Sequence, residues 1–305
     1  MTVQHRLDPH DSVSAAVIVG TDGSPASVRA VAWAAQTAAE RGRRLIVTHG
    51  YDLAAACSVS GFYDVLVPSV IETIRHHGQE ALARAERIAR EAHPGLEVDT
   101  QLSDRNPAEL LIDLSSEAHL VVLGATRGVG YFAHLGSTLL AVVSQGTGRI
   151  VVVRHEGTEQ VSRSGPVVVG VDASPVGESA IEAAFHEASE RDAELVVVHA
   201  WSDLSEGRFA GTSYLDIPIA ELETAEHALL SERLAGWHEK FPDVAVTRRV
   251  YLSGPRNHLT EWSKAAQLIV VGSRGRGGFR GLLFGSTSNY LVQHAHCPVM
   301  VVHPD

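Results

Sequence analysis

The chain has 305 residues, of which 45% are hydrophobic and 20% are charged. This length and this balance are typical of a globular protein with two domains of ordinary size. The formal net charge of −11 at pH 7 argues against polyanionic partners, so we expect neither nucleic acid nor a membrane surface to be bound.

The sequence shows no pattern of a membrane-spanning segment, a signal peptide or a disulfide framework, and this bears on the cellular compartment. No apolar run in the sequence approaches the ~18 residues needed to span a membrane. The first residues, MTVQHRLDPHDSVSA, lack the apolar core of a signal peptide. The two cysteines, Cys57 and Cys297, are far apart, as expected of free thiols in a reducing compartment. We therefore expect a cytoplasmic protein.

The sequence contains one pattern twice. VIVGTDGSP at residues 17–25 returns as VVVGVDASP at 167–175, and LIVTHG at 45–50 returns as LVVVHA at 195–200. LVVLG, GST and a closing Val-rich run also recur, in the same order. A repeat of this length indicates a duplicated domain rather than a solenoid.

Within each copy, short runs of Val, Ile and Leu alternate with helical patterns. The first run of each copy leads into a Ser-Pro pair that suits a helix start. Such alternation predicts a parallel sheet with helices on both faces. We predict two tandem α/β domains of doubly wound, flavodoxin-like or Rossmann-like type, each with a five-stranded parallel sheet. The polar stretch HEGTEQVSRSG at residues 155–165 places the domains at residues 1–157 and 158–305.

A glycine-rich run, GSRGRGGFRGLLFGSTS, occupies residues 272–288 directly after an apolar strand. In open α/β sheets, ligands bind at the carboxyl ends of neighbouring strands. Glycines let backbone N–H groups approach a ligand, and the N-terminus of the next helix favours an anion. Arg274 and Arg276 add charged donors. The run therefore predicts a cradle for a polyphosphate, and the alternative is a surface loop kept soluble by its arginines.

Other motifs give weaker signals. A Walker A loop needs a Gly-Lys-Ser/Thr end, and the only lysines, Lys240 and Lys264, stand elsewhere. GVGYFA at residues 128–133 imitates a dinucleotide fingerprint but follows the fourth strand of its half, where that motif does not belong. His49 and His199 end equivalent strands, where we expect them to order the turn.

The spacing Gly-x2-Gly-x9-Gly-Ser that begins at Gly272 resembles the ATP-binding motif of the universal stress protein family. An Asp at the end of the first strand and a His followed by a small residue at the end of the second strand also match this family. The resemblance covers residues 15–154 and 166–303, which is both halves. It implies the adenine nucleotide alpha hydrolase-like form of the fold.

The resemblance further implies an ATP site in the second half, with Mg²⁺ bridging Asp172 and the phosphates. Gly170 would lie beside Asp172, Ala200 would contact adenine through its backbone, and Asp203 would help at the ribose. The ribose and phosphates would be wrapped by Gly272, Ser273, Arg274, Gly275, Arg276, Gly277 and Gly278. The terminal phosphates would be held by Gly285, Ser286 and Thr287.

The first half departs from the family pattern. Its matching residues are Gly20, Asp22, Gly124, Gly136 and Ser137. Arg127 stands where the second motif glycine is expected, Gly128 comes one residue late, and Gly136 comes one residue early. Two alternatives stay open: this half binds ATP in a shortened loop, or Arg127 excludes the nucleotide.

The function implied by the resemblance is a nucleotide-dependent regulator of stress response or growth arrest, with an unknown protein partner. A slow ATPase or phosphotransferase, and an interaction module without nucleotide, remain as alternatives. The closing strands, RIVVVRH and CPVMVVH, are predicted to be edges, and edges tend to pair. We therefore expect a pseudo-dimer of the two halves and a homodimer of the chain.

Overall fold

The computed structural model describes residues 10, 15–55, 67–125, 136–154, 163–172, 177–200, 219–252, 254–274 and 285–304. The chain divides into two compact units, Met1–Arg154 and His155–Pro304. The domain boundary expected after residue 157 falls outside the described residues and stays a prediction.

The first unit is a parallel sheet connected by helices. Its strands are β1 (Val17–Gly20), β2 (Leu45–Gly50), β3 (Val98–Ser103), β4 (Leu120–Gly124) and β5 (Arg149–Val153). Its helices are α1 (Pro25–Glu40), α2 (Val67–Ala92), α3 (Pro107–Ser115) and α4 (Ser137–Gln145). The strand order is β3-β2-β1-β4-β5, and every pair in it is parallel.

The second unit repeats this arrangement. Its strands are β6 (Val167–Val171), β7 (Leu195–Ala200), β8 (Val246–Tyr251), β9 (Leu268–Gly272) and β10 (Val299–Val302). Its helices are α5 (Glu178–Glu190), α6 (Ile219–Lys240), α7 (Pro255–Trp262) and α8 (Ser286–His294). The order is β8-β7-β6-β9-β10, again with parallel pairs.

These orders confirm the predicted doubly wound α/β fold and refine it. In each unit the order reads 3-2-1-4-5, which is the Rossmann order without its sixth strand and not the 2-1-3-4-5 order of flavodoxin. From β6 the next strands, β7 and β8, are added on one side, and β9 and β10 are added on the other, so the strand order reverses between β6 and β9. These two strands are hydrogen-bonded neighbours with Gly170 opposite Val271. The strand before Asp172 and the strand before the glycine-rich run are therefore adjacent, as predicted.

Two glycines show that helices lie on both faces of the first sheet. A Cβ at Gly20 would lie 3.1 Å from a methyl group of Leu111 in α3, whereas a Cβ at Gly124 would collide with the carbonyl oxygen of Ala26 in α1. Gly20 is level with Leu123, one residue before Gly124, and successive side chains point to opposite faces. The sheet is therefore covered by α3 on one side and by α1 on the other.

The strands form because they are short apolar runs that are covered on both faces. Val167, Val168 and Val169 of β6 have no exposed surface. Burying each such side chain stabilises the fold by about 1.5–3 kcal/mol. In the second unit, Phe185 of α5 stacks on Trp237 of α6, with 6.0 Å between ring centroids. This contact fixes α6 against α5.

The first helix begins where the sequence predicts. Ser24 is its N-cap, with a side chain that accepts a hydrogen bond from the N–H of Ser27, and Pro25 is its first residue. Among the helices that the structure describes, none is long and apolar enough to cross a membrane.

Candidate functional site

The two ends of the glycine-rich run are held together at the carboxyl end of β9. The N–H of Gly285 donates to the carbonyl oxygen of Ser273 over 2.9 Å. The buried hydroxyl of Ser288 donates to the carbonyl oxygen of Gly272 over 2.6 Å. Ser273 in turn donates its N–H to Val302 of β10 over 2.7 Å. The residues at the end of β9 and just after it (272–274) and the residues that start α8 (285–288) are therefore held together by hydrogen bonds. We call these two segments the anchored site.

The N-terminus of α8 is open to an anion. Gly285 is the N-cap, with φ −61° and ψ 140°, and no described side chain caps the helix. The first turn carries no acidic residue, so the N–H groups and the helix dipole favour negative charge there. Ser286 adds an exposed hydroxyl, and Arg274 is an exposed cation that follows β9. This arrangement can bind phosphate oxygens.

Asp172 follows β6, next to the N-terminus of α5. One of its carboxylate oxygens would lie 3.4 Å from a Cβ placed on Gly177, the N-cap of α5. Gly170 has a different environment, because a Cβ there would lie 2.8 Å from a methyl group of Leu259 in α7. The structure thus places Gly170 under α7, where it allows close packing.

Ala200 ends β7 and pairs with Tyr251 of β8. The residue before it, His199, is completely buried. Its Nδ1 lies 2.9 Å from the carbonyl oxygen of Val171, the residue before Asp172. In the first unit, Nδ1 of His49 lies 2.7 Å from the carbonyl oxygen of Thr21. Each histidine therefore holds the chain where it leaves the first strand of its unit. The expected role of ordering the turn stays a prediction.

Several expected site residues lie outside the described part of the chain, and their predicted roles stay predictions: Gly128, Asp203, Gly275, Arg276, Gly277 and Gly278.

In the first unit, Asp22 is tied into its own loop. The N–H of Ser24 donates to a carboxylate oxygen of Asp22 over 2.9 Å. Partial burial alone would raise the pKa of Asp22, but hydrogen bonds from Ser24 and Ser27 outweigh it and lower the pKa. Asp22 therefore stays ionised at lower pH than an ordinary aspartate, as suits a carboxylate that binds a cation.

Gly136 and Ser137 start α4 as Gly285 and Ser286 start α8. Gly136 is the N-cap, and no described side chain caps α4. The third residue after this N-cap is the buried Leu139, whereas Ser288 occupies that position in the second unit. The first unit therefore lacks the hydroxyl that ties α8 to β9.

Ser288 is a site residue that motif reasoning missed. The available signal was the comparison of GSTL with GSTS between the two halves, which shows a hydroxyl only in the half with the intact glycine spacing.

A metal site built by the protein alone is not found in the described residues, where no group of three or more His, Cys, Asp and Glu side chains converges. A divalent cation at Asp172 would take its other ligands from phosphate oxygens and water, as Mg²⁺ commonly does.

Comparison with known proteins agrees with this architecture. The model of the universal stress protein family matches residues 15–154 and 164–303. A universal stress protein of Mycolicibacterium smegmatis is 39% identical over 294 residues, which cover 94% of this chain and 97% of that protein. A universal stress protein of Mycobacterium tuberculosis is 37% identical over 296 residues, with 94% and 96% covered.

A solved structure shows the same fold. A universal stress protein from Archaeoglobus fulgidus superposes with a TM-score of 0.68 at 18% identity, over 95% of this chain and 98% of that one. The two matched segments and the full-length relatives show that this chain belongs to the universal stress protein family, with two of its domains in tandem.

Proposed function

We propose that this chain is a cytoplasmic ATP-binding regulator whose second unit holds the nucleotide, and that nucleotide occupancy controls its choice of a protein partner. The observation that carries the proposal is the anchored site: Gly285 donates to Ser273 and Ser288 donates to Gly272. These two bonds fix an uncapped helix N-terminus beside the end of β9, where a doubly wound sheet binds its ligand.

The residues near this site fit a triphosphate. The terminal phosphates would accept hydrogen bonds from the N–H groups and hydroxyls of Ser286 and Thr287. Gly285 would position these donors, because its own N–H is bonded to Ser273. Arg274 would neutralise part of the phosphate charge, and the glycines from Gly275 to Gly278 would wrap the chain of phosphates. Asp172 would share a Mg²⁺ ion with the phosphate oxygens.

The base and the ribose would lie towards β7. Ala200 would contact adenine through its backbone, and Asp203 would bind the ribose. Gly170 contributes indirectly, because its missing side chain lets Leu259 of α7 pack against the sheet.

The first unit is proposed to be the weaker nucleotide site. Gly20, Asp22, Gly124 and Ser137 keep their positions at the equivalent sheet end, but Leu139 replaces the anchoring hydroxyl. We propose one ATP per chain bound tightly in the second unit, in an assembly in which two chains pair as a homodimer.

Titration calorimetry of the full chain with ATP and Mg²⁺ tests this proposal. We expect one tight site in the wild type and a roughly tenfold weaker site in Arg274→Ala, since removing one charge-assisted contact costs about 1.4 kcal/mol. Arg84→Ala removes an equally exposed arginine from α2 and serves as the matched control. A wild type that binds no adenine nucleotide, or an Arg274→Ala variant that binds like the wild type, contradicts the proposal.

A further inference from the structure

His199 carries a proton on Nδ1. The side chain is completely buried at the end of β7, and Nδ1 lies 2.9 Å from the carbonyl oxygen of Val171. A carbonyl oxygen only accepts hydrogen bonds, so Nδ1 must be the donor.

The second ring nitrogen also faces an acceptor. Nε2 of His199 lies 2.9 Å from a carboxylate oxygen of Glu226 in α6. Nδ1 holds the one N–H group of a neutral imidazole, so the contact with Glu226 needs one further proton between Nε2 and the carboxylate oxygen. His199 therefore joins the chain after β6 to helix α6 through both of its ring nitrogens.

Helix α6 also holds the chain on the other side of Asp172. Nε1 of Trp237 donates to a carboxylate oxygen of Glu178 over 2.8 Å. Arg233 lies 3.8 Å from the second carboxylate oxygen of Glu178. Glu178 is the first residue of α5 and follows Gly177, which lies beside the Asp172 carboxylate. Contacts from α6 thus fix both the strand that ends before Asp172 and the helix that starts after it.

The first unit has none of these three side chains. Counted back from the last residue of each helix, Glu226, Arg233 and Trp237 of α6 correspond to Gly78, Ala85 and Ala89 of α2. The ring of His49 packs against bare backbone there, because a Cβ at Gly78 would lie 2.8 Å from its Cδ2. The pair of His199 and Glu226 is therefore a property of the unit with the intact glycine motif.

We propose that Glu226, acting through His199, is a positioning residue for the nucleotide site of the second unit. The hydrogen-bonded pair fixes the carbonyl group of Val171 and hence the backbone from which Asp172 projects. This inference rests on the proposed nucleotide binding, and it assigns Glu226 no direct contact with the ligand.

Calorimetry on three variants of the full chain tests the role of Glu226. Glu226→Ala removes the partner of Nε2, and we expect ATP with Mg²⁺ to bind about tenfold more weakly, as is typical when a supporting hydrogen bond is lost. Glu226→Gln restores binding to within about threefold of the wild type, because its amide N–H can donate to Nε2 of a neutral ring. Glu221→Ala removes an exposed carboxylate from the same helix and leaves the affinity unchanged.

Nitrogen NMR of the His199 ring gives a readout that needs no nucleotide and no destabilised variant. We expect Nδ1 to be protonated in the wild type and in Glu226→Gln. A ring that carries its only proton on Nε2 overturns the contact with Val171 and the positioning role with it, and so does wild-type affinity in folded Glu226→Ala. A wild type with Nδ1 protonated but no nucleotide binding overturns the proposed function, and the positioning role with it.

Discussion

The hydroxyl of Ser288 donates a hydrogen bond of 2.6 Å to the carbonyl oxygen of Gly272. This bond joins the first turn of α8 to the end of β9, across the segment that carries the glycine motif. Because Ser288 is buried, water does not replace the bond when it is lost.

Replacing Ser288 by alanine should weaken both the fold and the site. We expect the free energy of unfolding to fall by about 1–3 kcal/mol, because the carbonyl group of Gly272 is left without its partner. ATP affinity should fall as well, because the start of α8 is less firmly held. Chemical unfolding and calorimetry measure the two effects.

Ser231→Ala is the control, because it removes a hydroxyl bonded to the carbonyl oxygen of His227 within α6. We expect this variant to change the free energy of unfolding by less than about 0.5 kcal/mol. Equal effects from both variants contradict the prediction.

Replacing Gly272 by valine should abolish ATP binding while the fold stays intact. A Cβ at this position would lie 3.1 Å from the carbonyl oxygen of Arg274, so the chain that leaves β9 must shift. Gly236→Val is the matched control, because a Cβ at Gly236 meets no described atom within 4 Å. Calorimetry and circular dichroism separate loss of binding from loss of structure. Unchanged ATP affinity in Gly272→Val would refute the assignment of the site.

The stability of the first unit should depend on pH through His119. Its Nδ1 lies 2.9 Å from the carbonyl oxygen of His10, and its Nε2 lies 2.9 Å from a guanidinium nitrogen of Arg41. Arginine only donates, so Nε2 accepts and the ring is neutral. Burial, together with the positive charge of Arg41, lowers the pKa of His119 from 6.5 to about 4.

The sign of the effect follows from this lowered pKa. The unfolded chain takes up a proton first as the pH falls through 6.5, so the native state loses stability between pH 6.5 and pH 4. The loss reaches up to about 3 kcal/mol at pH 4. His119→Gln, which introduces the residue found at the equivalent position 267, should remove this part of the pH dependence. Unfolding curves measured at several pH values give the free energy of unfolding as a function of pH. If this free energy falls as steeply between pH 6.5 and pH 4 in the variant as in the wild type, the prediction is contradicted.

The residues that follow α1 and α5 share a left-handed backbone conformation but differ in type, so each can be replaced by the other's residue. Gly42 follows α1 with φ 59°, and Asp192 follows α5 with φ 48°. This left-handed conformation is unfavourable for residues with a side chain. Asp192→Gly should therefore raise the free energy of unfolding by about 0.5–1 kcal/mol, and Gly42→Asp should lower it by a similar amount. Thermal unfolding measures both, and a stabilising Gly42→Asp would contradict the argument.

The fold was predictable from the sequence because its signals are local. The Val-rich runs of both halves become buried strands, and Ser24 with Pro25 marks the start of α1. The neighbouring positions of β6 and β9 followed from the switch-point rule. The exact strand order did not, because both doubly wound orders read as the same alternation of strands and helices.

The site was less predictable, because its remaining parts depend on contacts distant in sequence. A motif places Gly170 near the nucleotide, but the direction of its missing side chain, towards Leu259, depends on the pleat of β6. Glu226 lies 27 residues after His199, and no local pattern marks it as a partner. Only the tertiary structure brings these groups together.

A crystal structure of the full chain grown with excess ATP and Mg²⁺ tests the central claim most directly. The account predicts a triphosphate at the start of α8, with its oxygens within hydrogen-bonding distance of the N–H groups of Ser286 and Thr287, and the metal beside Asp172. A fully occupied nucleotide elsewhere, or density with no nucleotide at this end of the second sheet, would contradict it.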